Sequence, residues 1–199
     1  MVGICPGAGG ATVAKRLYLA SSSPRRRELL EGMGIEYVLR AVPTDEETNA
    51  SPREAVAVLA RRKAEAAAAG LTEGLVLGAD TLVALSGKAM GKPRDAGEAC
   101  AMLEALSGKA HQVYTGVCLV DAATGISRVE VARTDVYFRD LSPEEIRAYV
   151  ATGEPMDKAG AYAIQGGAGK FVERIEGSFR NVMGLPVELL AEMLKGTEV

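Results

Sequence analysis

The sequence predicts an α/β protein with a mixed sheet. Strand-like and helix-like segments alternate along the chain. Leu75–Leu85 (LVLGADTLVAL) is a nearly continuous apolar run, as in a strand buried on both faces. Two alternating segments flank a turn at Asp121–Gly125, as in an antiparallel hairpin.

Residues 1–15 are Gly-rich and without periodicity, and read as a loose extension ahead of a single domain over 16–199. Arg16–Ser21 is a short buried strand. Ser23-Pro24 opens a helix that stops before Gly34, with Ser23 as the N-cap and Pro24 at the first helical position. Ile35–Val42 reads as a strand. Ser51-Pro52-Arg53-Glu54 is a capping box for a helix ending at Gly70, about 27 Å long. The Leu75–Leu85 strand follows. Asp95 and Glu98 then start a helix with Ala99, Met102, Leu103 and Leu106 on one stripe, stopped at Gly108. His111–Val120 and Arg128–Phe138 form the hairpin. Ser142-Pro143-Glu144-Glu145 is a second capping box, and Gly153 the stop. Tyr162–Gln165 and Phe171–Ile175 read as short strands, and Pro186–Lys195 as the last helix. No internal repeat or linker divides the chain.

The length of 199 residues suits one domain, or one domain with two lobes around a cleft. Lys and Arg number 23 against 26 Asp and Glu, a net charge of −3, so the basic excess of a nucleic-acid-binding protein is absent. Three dispersed cysteines disfavour a disulfide framework and a zinc site and fit a reducing compartment. The one histidine, His111, excludes any centre that needs two. No apolar run is long enough to span a membrane, and Met1–Ala14 does not read as a signal peptide. A cytoplasmic protein is expected.

Three features break local rules, and such places are where function is expected. Arg25-Arg26-Arg27 puts cations at a helix N-terminus, where each is the wrong sign by a few tenths to ~1 kcal/mol. With Ser21, Ser22 and Ser23 and the free N–H groups they would cradle a phosphate; the alternative is three solvated arginines. Lys63 lies amid the apolar stripe of Val56, Leu59, Ala60 and Ala67, so it must snorkel, pair or bind an anion. Asp80, beside Thr81, interrupts the buried run, where a carboxylate needs a metal, a cation, a hydrogen-bond network or a strand-end cap.

Weaker candidates are Lys92 in the Gly91-Lys92-Pro93 turn, the acidic Asp45-Glu46-Glu47, and Glu154, Asp157 and Lys158 in a polar loop. His111 reads as structural. Gly166-Gly167-Ala168-Gly169-Lys170 imitates a phosphate-binding loop but has Ile164 and Phe171 where the pattern needs Gly and Ser or Thr. Gly7–Thr12 fails the dinucleotide fingerprint at its last position. Cationic groups, a serine cluster and one or two carboxylates suit phosphoryl transfer to water.

These residues fall into ordered blocks: Ser21-Ser22-Ser23-Pro24-Arg25-Arg26, Asp45-Glu46, Lys63-Ala64, Ala79-Asp80-Thr81, Gly91-Lys92-Pro93, Ser107-Gly108, His111, Thr115-Gly116, Gly153-Glu154-Pro155, Asp157–Gly166, Gly177-Ser178, Asn181-Val182 and Gly184-Leu185-Pro186. From about Leu17 to Leu194 the chain resembles the Maf family of nucleoside triphosphate pyrophosphatases. The resemblance implies a two-lobed mixed-sheet fold similar to the inosine-triphosphatase-like enzymes, with a central substrate cleft and a homodimer. It implies hydrolysis between the α and β phosphates, with a divalent metal, Mg²⁺ or Mn²⁺. Asp80 would then accept the proton of water and, with Glu46, ligate the metal. Lys63, Lys92, Ser21 and Arg26 would hold the phosphates, with Ser23 and Lys158 as further substrate-binding residues. Arg25, Thr81 and Gln165 would face the base.

The Ala-Gly-Ala-Tyr-x-Ile-Gln form of the late block resembles the dTTP/UTP-directed subfamily; a branch directed to 7-methyl-GTP has Glu in place of Gln165. An amide supplies both donor and acceptor to a pyrimidine imide edge. Ser22 and Ala163 depart from glycines often found in the family. The competing readings are a 7-methyl-GTP-directed pyrophosphatase of the same family and a nucleotide-sensing regulator of cell division that does not hydrolyse its ligand. On each reading, a locally positive triphosphate site is expected on an otherwise acidic chain.

Overall fold

The structure, a computed structural model, describes residues 15–196. The loose extension expected over 1–15 therefore lies outside the described residues, except for Lys15, which pairs with Asp121. In chain order the elements are β1 (Leu17–Leu19), α1 (Pro24–Gly32), β2 (Tyr37–Leu39), α2 (Pro52–Ala68), β3 (Leu75–Leu85), β4 (Lys88–Met90) and α3 (Ala96–Leu106). Then come β5 (Ala110–Asp121), β6 (Ser127–Phe138), α4 (Pro143–Val150), β7 (Val172–Glu176), α5 (Phe179–Met183) and α6 (Val187–Leu194). Short 3-10 turns at Glu154–Asp157, Ala159–Ala161 and Gly167–Phe171 join α4 to β7.

The sheet runs β2-β1-β3-β5-β6-β7, with β4 also on β3. β1 pairs in parallel with β2 and β3, and the other pairings are antiparallel, so the sheet is mixed as expected. The β3–β5–β6 ladder is its spine. Along its other edge β3 changes neighbour: β1 covers Leu75–Leu77 and β4 covers Val83–Leu85. Asp80 and Thr81 lie in the interval between them, just beyond the C-terminal end of β1. A crevice where strand order changes is where α/β sheets place ligands.

Three apolar clusters flank this interval. On one face of β3, Leu75, Leu77 and Ala79 pack with Leu29, Leu30, Leu185 and Leu190 of the α1 and α6 side. Farther along the same face, Val83 packs with Leu103, Leu106, Val113, Phe138, Tyr149 and Phe171. On the opposite face, Val76 and Cys118 pack against Ala60, Ala64 and Ala67 of α2. Thr81 and Thr115, paired across β3 and β5, separate the first two cores with a polar seam.

The capping boxes hold: Glu145 N–H donates to Ser142 Oγ at 3.2 Å, and the Ser142 N–H donates back to Glu145 at 3.1 Å. Several expectations need correction. Ser23 occupies the N-cap but makes no side-chain capping bond. The strand expected over Ile35–Val42 pairs only at Tyr37–Leu39. Tyr162–Gln165 is loop instead of strand; its apolar residues are buried against an aromatic cluster, and positive φ at Gly160 (70°) and Ala161 (57°) turns the chain there. β4 and α5 are additions that periodicity did not signal, each too short to carry a pattern.

Candidate active site

Two glycines bring Lys63 to Asp80. A Cβ on Gly78 would lie 2.3 Å from the Ala60 carbonyl, and one on Gly116 would lie 2.1 Å from that of Val56. Helix α2 thus rests on strand backbone, closer than side chains allow. Asp80 shares the Gly78 face of β3 and sits opposite Gly116 in register. Lys63 Nζ reaches it from above, 2.6 Å from Asp80 Oδ1, and lies 2.6 Å from Glu46 Oε1 as well. The Lys63 and Asp80 side chains are only 16% and 11% exposed, whereas Glu46 is 64% exposed. The hydrogen bond from Lys63 holds the Glu46 carboxyl below its ordinary value, against the opposing effect of burial. Asp80 Oδ2 has no hydrogen-bond partner among the described residues and remains a free acceptor.

Arg26 is the second anchor. Its Nε donates to the Gly184 carbonyl (2.8 Å), Nη1 to Ser21 Oγ (3.1 Å) and Nη2 to Thr81 Oγ1 (3.1 Å). Burial pulls its pKa down, with Asp80 and Glu46 opposing, and it stays cationic at neutral pH. Ser21 Oγ also accepts from the Ser23 N–H at 3.3 Å, which leaves its own O–H for a ligand.

Both anchors open on a cleft of about 1210 Å³. The residues that the family resemblance assigned to the site all line it: Ser21, Ser23, Arg25, Arg26, Glu46, Lys63, Asp80, Thr81, Lys92, Lys158 and Gln165, while the weaker candidates Asp45, Glu47 and Glu154 do not. Lys158 is paired with Asp157. Arg27 is not among them and lines a separate depression with Glu31 and Tyr37, so the arginine triplet divides. The expected positive site is closer to balanced: Glu28, Glu46, Asp80 and Asp157 face Arg25, Arg26, Lys63, Lys92 and Lys158 across it. Lys63 and Lys158 are held by carboxylates, whereas Arg26 is held by neutral oxygens, so selectivity for anions rests on arrangement and less on net charge.

Beneath Thr81 lies a network that sequence reasoning did not assign. Thr81 Oγ1 is 3.0 Å from Thr115 Oγ1, which donates to the Asn181 carbonyl at 3.2 Å. The Asn181 amide donates to the Val113 carbonyl (3.0 Å) and Thr134 Oγ1 (2.9 Å). Thr115, Thr134 and Asn181 are fully buried. Their sequence signal was membership of the Thr115-Gly116 and Asn181-Val182 blocks, with no rule broken locally. His111 is structural as expected: buried, 2.9 Å by Nε2 from the Tyr162 hydroxyl and edge-on to Phe138, with its pKa pushed down to about 4 by burial.

No cluster of three or more His, Cys, Asp or Glu that would hold a metal occurs among the described residues. Asp80 and Glu46 meet at one lysine, and two hard oxygen donors suit a divalent ion of the Mg²⁺ kind completed by substrate phosphates and water.

The family model described as "Maf-like protein" matches residues 16–197. The chain is 51% identical over 183 residues to a dTTP/UTP pyrophosphatase of Pelotomaculum thermopropionicum, covering 91% of this chain and 96% of that protein. It is 51% identical over 181 residues to the dTTP/UTP pyrophosphatase of Moorella thermoacetica, covering 90% and 93%. Against that of Photorhabdus laumondii it is 49% identical over 183 residues, covering 90% and 93%. With its model matched over nearly the whole length, the chain belongs to the Maf family.

Proposed function

We propose that the chain is a nucleoside triphosphate pyrophosphatase that hydrolyses dTTP and UTP between the α and β phosphates, giving the monophosphate and pyrophosphate. It would thereby remove excess or non-standard pyrimidine nucleotides. One observation carries the activity: about half of the residues are identical, over nine-tenths of the chain, to proteins named dTTP/UTP pyrophosphatase. The roles of individual residues rest on the geometry. We read residues 16–199 as one two-lobed catalytic domain that works in the cytoplasm, as a homodimer, on a small nucleotide and not on a nucleic-acid polymer or a membrane.

In this reading Asp80 is the general base. Its Oδ1 is held by Lys63, and Oδ2 accepts the proton of the attacking water. Lys63 favours the ionised form of Glu46 and fixes Asp80 without blocking its second oxygen. Ser21, Ser23, Arg26, Lys92 and Lys158 bind phosphate oxygens and neutralise the charge that builds on the leaving pyrophosphate. Arg26, already bound three ways by protein, acts as a fixed positive field with no reorganisation on binding. Asp80 and Glu46 would hold Mg²⁺ or Mn²⁺, which when bound supplies further charge neutralisation on the phosphates. Gln165 offers donor and acceptor to the pyrimidine imide edge, and Arg25 and Thr81 complete the base side.

The test is product analysis with dTTP and UTP in the presence of divalent metal. Pyrophosphate release is expected, reduced by a factor on the order of 10² or more in Asp80→Asn with an unchanged fold. Orthophosphate release would refute the α–β assignment. Preference for 7-methyl-GTP would move the chain to the other branch, and tight binding without turnover would favour the regulator.

A further inference from the structure

We infer that Glu154 is a positioning residue for base selection: together with Tyr149 it fixes the backbone of the loop that presents Gln165. The inference rests on the reading of Gln165 as the residue that faces the base. Gln165 is exposed and lines the cleft, on a turn closed by the Gly166 N–H donating to the Ala163 carbonyl at 3.0 Å. Both ends of that turn are pinned by side chains. The Ala163 N–H donates to the Tyr149 hydroxyl at 3.1 Å, and the Gly167 N–H donates to Glu154 Oε2 at 2.9 Å.

The Gly166-Gly167 pair is the seat of this clamp. A Cβ on Gly166 would fall 1.6 Å from Glu154 Oε1, and one on Gly167 would meet the Tyr149 ring at 3.2 Å. Gly166 has φ −104°, which other residues adopt, so close approach of the carboxylate is what calls for glycine there. The segment that imitates a phosphate-binding loop in sequence therefore holds a carboxylate of its own chain.

Glu154 and Tyr149 are themselves anchored at the end of α4. The Glu154 N–H donates to Thr152 Oγ1 (3.2 Å), whose hydroxyl donates to the Tyr149 carbonyl (2.6 Å). Burial raises the pKa of Tyr149, and the neighbouring Glu154 carboxylate adds to the rise, so the phenol stays protonated and rigidly placed. On the near side of the turn the Tyr162 hydroxyl is tied to His111. Gln165 is thus the free tip of a loop held on three sides. Discrimination by a hydrogen-bonding amide depends on such placement, because a misaligned amide costs the preferred base its bonds and leaves competitors unaffected.

The experiment compares wild type, Glu154→Ala and Glu154→Gln, alone and on a Gln165→Ala background. Inorganic tripolyphosphate serves as an inhibitor that lacks a base. Loss of a charge-assisted hydrogen bond predicts that Glu154→Ala raises KM for dTTP and UTP about tenfold or more and lowers their preference over GTP. Its kcat and the tripolyphosphate inhibition constant should stay within about twofold of wild type, against the tenfold step in KM. Glu154→Gln, whose amide oxygen still accepts from Gly167, should keep most of the wild-type KM. Glu154→Ala should add nothing once Gln165 is gone. A kcat loss at constant KM, a parallel rise in the tripolyphosphate constant, or full additivity with Gln165→Ala would overturn the inference. Glu154→Asp, too short to reach Gly167, replaces the alanine variant should that variant not fold. Amide exchange at Gly167 separates the two readings. Unchanged protection in Glu154→Ala overturns this inference alone, whereas a wild type inert to dTTP and UTP overturns the proposed function.

Discussion

Lys63→Met isolates the cation that joins the two acidic residues of the site. Methionine keeps the aliphatic stem within the α2 stripe, so the substitution removes charge more than volume. Two ion pairs are lost, and they differ in weight. Glu46 is mostly solvated, so its bond contributes under about 1 kcal/mol. Asp80 is nearly buried, and stripping the cation from a buried carboxylate costs several kcal/mol; allowing for its residual exposure, about 3 kcal/mol is expected. For a chain of this size that is a fall of about 6–12 °C in Tm. The assay is thermal and urea denaturation of both proteins across pH, without nucleotide. Glu46 has its folded pKa held below the ordinary value of 4.5 by Lys63, so its share of the stability is present above 4.5 and is lost as pH falls through the lowered value. The gap between wild type and variant should therefore be full at pH 7 and narrow below 4.5. A gap that is absent at pH 7, or constant down to acid pH, would refute the charge-bridge account and leave Lys63 as packing.

Thr115→Val, which keeps shape, removes one of two donors to the Asn181 carbonyl, which still accepts from the Gly184 N–H at 2.9 Å, and takes the hydroxyl away from Thr81. It should cost about 0.5–1.5 kcal/mol in urea denaturation and raise the nucleotide KM by loosening Thr81. Gly116→Ala drives a Cβ to 2.1 Å from the Val56 carbonyl, which must lift α2 off the sheet. Destabilisation of about 1–3 kcal/mol or more, with loss of turnover as Lys63 leaves Asp80, is expected from denaturation and kinetics on the same preparation. His111 binds its proton at about 4 in the folded chain against 6.5 when unfolded, so stability from this residue is full above pH 6.5 and falls by about 3 kcal/mol as pH drops to 4. His111→Gln should flatten that part of a urea-midpoint series against pH.

The course of the fold was legible where the signal is local. The Ser142-Glu145 capping box, the buried run of β3 and the hairpin around Asp121 each depend on residues a few positions apart. The candidate site was legible for a related reason. Lys63 in an apolar stripe and Asp80 in an apolar strand violate patterning, and those two groups meet in the structure. Sequence reasoning failed where a residue obeys every local rule yet acts at a distance. Tyr162–Gln165 looks like a strand because it is apolar, but its burial comes from His111 and Phe138, and Glu154 in its polar loop looks unremarkable until Gly166 is seen to make room for it.

The sequence by itself therefore determined the α/β class, most of the elements and the chemical character of the site. Periodicity, capping and misplaced charge are all properties of neighbours along the chain. Tertiary structure alone decided how those charges are used. Gly78 and Gly116 let α2 approach closely enough for Lys63 to bridge Asp80 and Glu46. The carbonyl of Gly184, 158 residues away, fixes Arg26, and the exchange of β1 for β4 along β3 opens the cleft. Contacts of that kind depend on which backbone groups converge across the fold, and the residues that make them carry no mark of their partners.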